Sequence, residues 1–443
     1  MSSHVFARSA RTDLPVAVRG EGAEVVDAAG RRYLDGSGGA VVVGIGHGVA
    51  EVADAIAAQA RRLAYVHGTA FTSAPVEAYA DELAAVLPLA DARVYPVSGG
   101  SEAVETAMKM ARAYHLARGE DRHVLVSRQG SYHGNTRAAL DVSGRAGLRA
   151  PYLPWLGAAR HTSTPYEYRC PFPDTHPVGC GARHAAELER TILEAGPDRV
   201  AAFIAEPVAG AALGACVPPA DYWPAVTEVC RRYGVLLIAD EVMTGFGRTG
   251  RWFACEHWDV RPDLVVGAKG ASSGYWPLGF AASTGAVHDT IVAGGFTHGF
   301  TNSHHPVGAA AGLAVLRVLR ERDLIAAAEA MGAHLDAVLR AELAGHPAVG
   351  DIRGLGMLRG VELVADRDTQ APFPRDRRIT EQVVAACAEE GALVYSSTGG
   401  ADGRNGDLIL LGPPLVMSAA QVDELAARCG RALWRVLPDR GVA

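Results

Sequence analysis

Lys269 is one of only two lysines, with Lys109, in a chain of 443 residues that carries 42 basic side chains. Guanidinium stays protonated, whereas a desolvated lysine can shed its proton and act as an amine nucleophile. A chain that uses arginine wherever a surface cation suffices therefore marks Lys269 as a candidate for Schiff-base chemistry. Its setting, Gly267-Ala268-Lys269-Gly270, lets a backbone come close to a bulky planar ligand and gives the amine few solvating neighbours. Upstream, Asp240 closes the apolar run from Val235 to Ala239, and Glu206 closes a second run from Ala201 to Ala205. Ser98-Gly99-Gly100-Ser101 follows Arg93 to Val97 and precedes a helical pattern. That order of strand, small-residue turn and helix start offers free amides to a phosphate. Tyr132, between glycines at another strand end, can lie flat on a heteroaromatic ring.

Short continuous apolar runs such as Val235 to Ala239 are strands covered on both faces. Strands are expected at 93–97, 123–127, 201–205, 235–239, 264–266 and 280–284. Helices are expected at 50–63, 75–87, 103–117, 220–233, 307–320 and 324–343. Strands alternating with helices describe an α/β fold with a mainly parallel sheet, whose carboxyl edge gathers Ser101, Tyr132, Glu206 and Asp240 in one crevice. Residues 20–35 alternate as a hairpin. Pro151 to Gly181 has little periodicity and reads as an irregular excursion beside a substrate channel. From Ile352 on, a small α/β unit is expected, with strands at 358–363 and 408–411 and helices at 376–390 and 418–437. Together, a helix start for phosphate, a stacking aromatic, a carboxylate for a ring nitrogen and an amine meet the needs of pyridoxal 5'-phosphate.

The same residues, in this order, resemble the class III, or omega-type, aminotransferases of the fold type I pyridoxal-phosphate enzymes. The resemblance runs from Tyr33-Leu34-Asp35 and Gly46-His47 through Ser98 to Ala103, Tyr132-His133-Gly134, Glu206-Pro207 and Asp240-Glu241-Val242. It continues through Thr244-Gly245-Phe246-Gly247-Arg248-Thr249-Gly250 and Lys269-Gly270 to Pro413-Pro414-Leu415. It implies a large domain over about 61–325 with a seven-stranded, mainly parallel sheet. A small α/β domain would come from 1–60 and 326–443. It also implies Lys269 as the Schiff-base lysine, Asp240 at the ring nitrogen, and Val242 and Tyr132 on the two ring faces. Gly100 and Ser101 would hold the phosphate, with Thr301 reaching in from the second subunit of a homodimer. Glu206 would be a substrate-side acid and Arg404 the candidate for a substrate carboxylate. Asn302 and His304 depart from the family pattern, and His304 with His305 could shape a polar pocket or move protons.

Amino transfer from an amino-acid or amine donor to a ketone or aldehyde acceptor is the expected reaction, with a polar or sugar-like acceptor favoured. Elimination, racemisation or an aminomutase shift on the same fold is the alternative. A dinucleotide-binding oxidoreductase is the reading from another class, but no Gly-x-Gly-x-x-Gly turn leads into a helix here. A formal net charge of −7 gives no basic patch for nucleic acid or membrane, and no apolar stretch is long enough to span a bilayer. The N-terminus lacks a signal pattern, which places the chain in the cytoplasm. Seven scattered cysteines form no Cys-x-x-Cys pair. Cys170 and Cys180 come closest to a metal pattern and read as free thiols, so no metal is expected.

Overall fold

Strands Val200–Ala205 and Leu236–Asp240 are buried at every position, as continuous apolar runs require. They form the middle of a seven-stranded sheet in the computed structural model, which describes residues 4–6, 8, 14–172 and 179–438. Across the sheet the order is Arg93–Val97, Gly279–Ser283, Leu264–Gly267, Leu236–Asp240, Val200–Ala205, Val124–Arg128 and Arg160–Thr162. Gly279–Ser283 pairs antiparallel with both of its neighbours, and the other six strands point one way.

Alternation along each strand sends its side chains to two cores. Ile204, Ile238 and Val266 meet Ala103, Ala107 and Val287, from helices Gly100–Ala117 and Gly285–Gly294. Phe203, Leu237 and Val265 belong to the larger cluster on the other side, with Leu188, Trp223, Val226 and Leu316. Each such fully buried side chain contributes about 1.5–3 kcal/mol. With both faces held by helices, the carboxyl edge is the face left for a ligand.

Two four-stranded sheets flank this unit. Ala17–Glu21, Glu24–Asp27 and Arg32–Asp35 are completed by Ala392–Leu393, which pairs parallel with Arg32–Asp35 and so ties the N-terminal segment to the C-terminal one. The second sheet, Val349–Leu355, Leu358–Leu363, Asp407–Leu411 and Tyr395–Thr398, is antiparallel throughout.

The expected excursion at 151–181 needs correcting in part. Arg160–Thr162 is the parallel edge strand of the main sheet, too short and too polar to show a pattern in the sequence. Helix Cys180–Ala195 also begins inside it, and its first amides, Gly181 and Ala182, donate to the Asp221 carboxylate. Of the excursion, 173–178 lie outside the described residues.

Candidate active site

A cavity of about 400 Å³ opens at the carboxyl edge, with Gly99, Gly100, Ser101, Tyr132, Glu206, Asp240, Val242 and Lys269 in its wall. Each strand end delivers one piece. Lys269 follows Leu264–Gly267 with φ of 42°, a left-handed backbone that costs a side-chain-bearing residue about 1–3 kcal/mol. Its side chain is half-buried beside the cavity. Burial pushes the amine down to about 8, against the pull of Asp240 and Glu206.

Asp240 retains 3% of its surface. One carboxylate oxygen accepts from Val242 N at 3.1 Å, and the other lies 2.6 Å from Nδ1 of His133. His133, itself buried, has no partner at Nε2 among the described residues. Nδ1 thus carries the proton shared with the carboxylate. Glu206 is buried beside it: burial raises its pKa, the Arg128 guanidinium is 3.7 Å away, and Oε2 has no hydrogen bond among the described residues.

At the far wall the turn from Arg93–Val97 into helix Gly100–Ala117 is fastened by the Glu102 carboxylate, which accepts from Ser98 N at 2.9 Å. Ser101 Oγ accepts from Asn135 N at 3.1 Å, which keeps its own proton to donate. Space is tight at Gly100, where a Cβ would lie 3.1 Å from Val242. At Gly99 a Cβ would meet nothing within 4 Å, so the backbone faces open space. Tyr132 is half-buried, and burial raises its hydroxyl pKa. Arg248, from the Thr-Gly-Phe-Gly-Arg-Thr-Gly run, adds its charge to the lowering of the Lys269 pKa. Its buried guanidinium donates to the carbonyls of Val43, Met357 and Pro413 and so joins three separate segments.

Four expected site residues do not line the cavity of their own chain. Thr301 is exposed, and its carbonyl accepts from the Tyr65 hydroxyl at 2.8 Å. His304 packs edge-on against Tyr95 at 4.6 Å between ring centres, with φ of 57°, and burial lowers its pKa. His305 accepts from Val307 N at 3.3 Å as a helix cap. Arg404 is exposed on a second cavity, which it shares with Arg145, Arg169 and Arg375.

Two residues escaped the sequence reading. His133 is adjacent to Tyr132, and its partnership with Asp240 spans 107 positions, which no local pattern displays. Arg145 is half-buried, desolvation lowers its pKa, and Tyr395 and Tyr132 are near enough to act on it electrostatically. No acidic partner for it is found among the described residues.

Residues 5–433 match the family model for class-III aminotransferases. An uncharacterised aminotransferase of Bacillus subtilis, YodT, is 38% identical over 96% of both chains. Among solved structures, a thermostable (S)-enantioselective omega-transaminase from Thermomicrobium roseum superposes with a TM-score of 0.92 at 39% identity. That match covers 98% of this chain and 96% of the other. An amine transaminase from an uncultivated Pseudomonas species, in its pyridoxal-phosphate-bound form, gives 0.91 at 35% identity over 98% and 99%.

Proposed function

This chain belongs to the class-III aminotransferases and is a pyridoxal-phosphate-dependent transaminase, and from that premise we propose that it exchanges an amino group between substrates bearing an anionic group, with Lys269 as its reacting amine. The observation that carries the proposal is the meeting, on one cavity, of a desolvated amine, a buried carboxylate holding a proton with His133, and an open glycine turn at a helix start.

The residues fit the cofactor. Open space at Gly99, beside the free amides of Gly100 and Ser101 and the Ser101 hydroxyl, suits a phosphate. Asp240 is an acceptor for a protonated ring nitrogen, held in place by His133 Nδ1 at 2.6 Å. Val242 and Tyr132 offer apolar and aromatic surfaces for the two faces of a planar ring. Bound there, pyridoxal phosphate supplies the electron sink and the carrier for nitrogen. The protein supplies the rest. Lys269 Nζ, neutral in part near physiological pH, would supply the amine that holds the cofactor, with the carbonyl oxygen leaving as water, and, when free, the base that moves a proton at the substrate carbon. Glu206, its pKa raised in the same wall, orders the substrate side.

Arg145 supports the anionic substrate class. A desolvated guanidinium beside Tyr132, facing a cavity that also holds Arg169, Arg375 and Arg404, favours a carboxylate. We assign the first contact to Arg145 and give Arg404, at the exposed rim, an electrostatic role. Thr301 serves the site of the other subunit of a homodimer. Its exposure fits that role, with the partner subunit's Thr301 completing the phosphate site of this chain.

The test is the absorbance of purified enzyme before and after addition of single amino donors without an acceptor. Acidic amino acids should convert the bound cofactor to its amino form, and a 2-oxo acid should restore it. Lys269→Ala should do neither catalytically. An enzyme that responds to uncharged amines and ignores amino acids would refute the anionic substrate class.

A further inference from the structure

Three potential metal ligands meet outside the catalytic cavity. Sγ of Cys170, Sγ of Cys180 and a ring nitrogen of His184 all lie within 4.8 Å of one another. Cys180 and His184, four apart, share one face of helix Cys180–Ala195, and the end of the 3-10 turn Glu167–Arg169 brings Cys170 to them. We propose that Cys170, Cys180 and His184 bind a structural zinc ion.

The imidazole carries the strongest sign. His184 is fully buried. Its Nδ1 lies 2.7 Å from Ser163 Oγ, whereas Nε2 is buried with no hydrogen bond among the described residues. A histidine that ligates through one nitrogen is held by a hydrogen bond at the other, and Ser163 is placed to receive Nδ1–H and leave the Nε2 lone pair free. An orphaned polar nitrogen in a dry site is otherwise costly, by about 1–3 kcal/mol.

Donor type selects the metal. Two thiolates and an imidazole suit zinc, whose bonds of about 2.3 Å to sulfur and about 2.0 Å to nitrogen span such a triangle. Binding releases two thiol protons to solvent and changes no oxidation state. A dication with two thiolates is neutral overall, which a buried site tolerates. A fourth donor would complete the tetrahedron.

The ion would join the helix that lies under the sheet edge to the turn carrying Tyr166 and Arg169. Arg169 Nε donates to Glu362 at 2.8 Å, and the Tyr166 hydroxyl donates to the same carboxylate, on strand Leu358–Leu363 of the antiparallel sheet. Zinc at this point therefore fixes the wall of the arginine-lined cavity through an ion that takes no part in catalysis.

The experiment is metal analysis of untagged holoenzyme purified under reducing conditions from zinc-supplemented culture, with X-ray absorption at the zinc edge. One zinc per chain, with a two-sulfur shell and nitrogen or oxygen in the remainder, is expected. Cys170→Ser, at the half-buried ligand, should lower zinc affinity at least tenfold while the cofactor absorbance persists. Ser163→Ala should lower it about tenfold by freeing the ring. If Cys170→Ser fails to fold, the sulfur shell of the wild type decides. Zinc below a tenth of an equivalent, zinc without sulfur ligands, zinc retained in full by folded Cys170→Ser, or a Cys170–Cys180 disulfide in place of the ion would each overturn the proposal.

Discussion

In the cofactor-free enzyme, Lys269 should titrate far below an ordinary lysine. The chain makes the measurement direct. Lysine labelled at Cε gives two resonances, and Lys109→Arg assigns them. Burial moves Nζ from 10.5 down to about 8, net of the attraction of Asp240 and Glu206. That difference corresponds to about 3 kcal/mol against the ammonium form. Because Lys269 borders the cavity, water there offsets part of it, and about 1–3 kcal/mol is the expected range. At about pH 7.5 roughly a quarter of the amine would be neutral, against about a thousandth for an ordinary lysine, a gain in nucleophile of about 200-fold. The sign for stability follows from proton counting. Between about pH 8 and 10.5 the native chain binds fewer protons than the unfolded one. The destabilisation is therefore complete below about 8 and fades as pH rises through 10.5. With both proteins cofactor-free, Lys269→Met should be more stable than wild type by about 1–3 kcal/mol near neutral pH. That advantage should vanish at about pH 10.5 and above. A Cε signal of Lys269 that moves only near the ordinary lysine value would refute the claim of a desolvated amine.

Other perturbations separate the remaining parts of the site. Gly99→Ala should fold with stability within about 0.5 kcal/mol of wild type, because its Cβ meets nothing, yet bind cofactor at least ~10-fold more weakly, as read by equilibrium dialysis. His133→Phe removes the donor to Asp240 and should cost about 1.5–3 kcal/mol of stability together with a fall in kcat; unchanged kcat would make His133 a packing residue only. Arg145→Gln should raise KM for acidic substrates at least ~10-fold with cofactor affinity unchanged, and Arg404→Gln should raise it less. Mixing Lys269→Ala and Thr301→Ala subunits should restore one intact site per heterodimer, whereas a threonine acting within its own chain predicts no recovery.

Local chemistry made most of the scaffold and the centre of the site readable. A continuous apolar run that ends in an acid, as Leu236–Asp240 does, is a buried strand with its charge at the carboxyl edge in any tertiary context. The helix Leu324–Leu343 and the strand Leu358–Leu363 carry enough periodicity and length to be bounded from their own residues. Lysine usage alone singled out Lys269. Other features depend on pairs far apart in the chain. Arg160–Thr162 is a strand because Val124–Arg128 offers it an edge, and its three polar-leaning residues carry no pattern of their own. His304, expected beside a phosphate, packs on Tyr95 of its own chain, with φ of 57°. The partner of Asp240, the lack of an acidic partner for Arg145 among the described residues, and the approach of Cys170 to the helical pair Cys180 and His184 were beyond sequence. Residue type tells which groups can donate, accept or ligate, but packing decides which of them lose water and whom they then face, and that loss gives a lysine, an arginine or a histidine its chemistry.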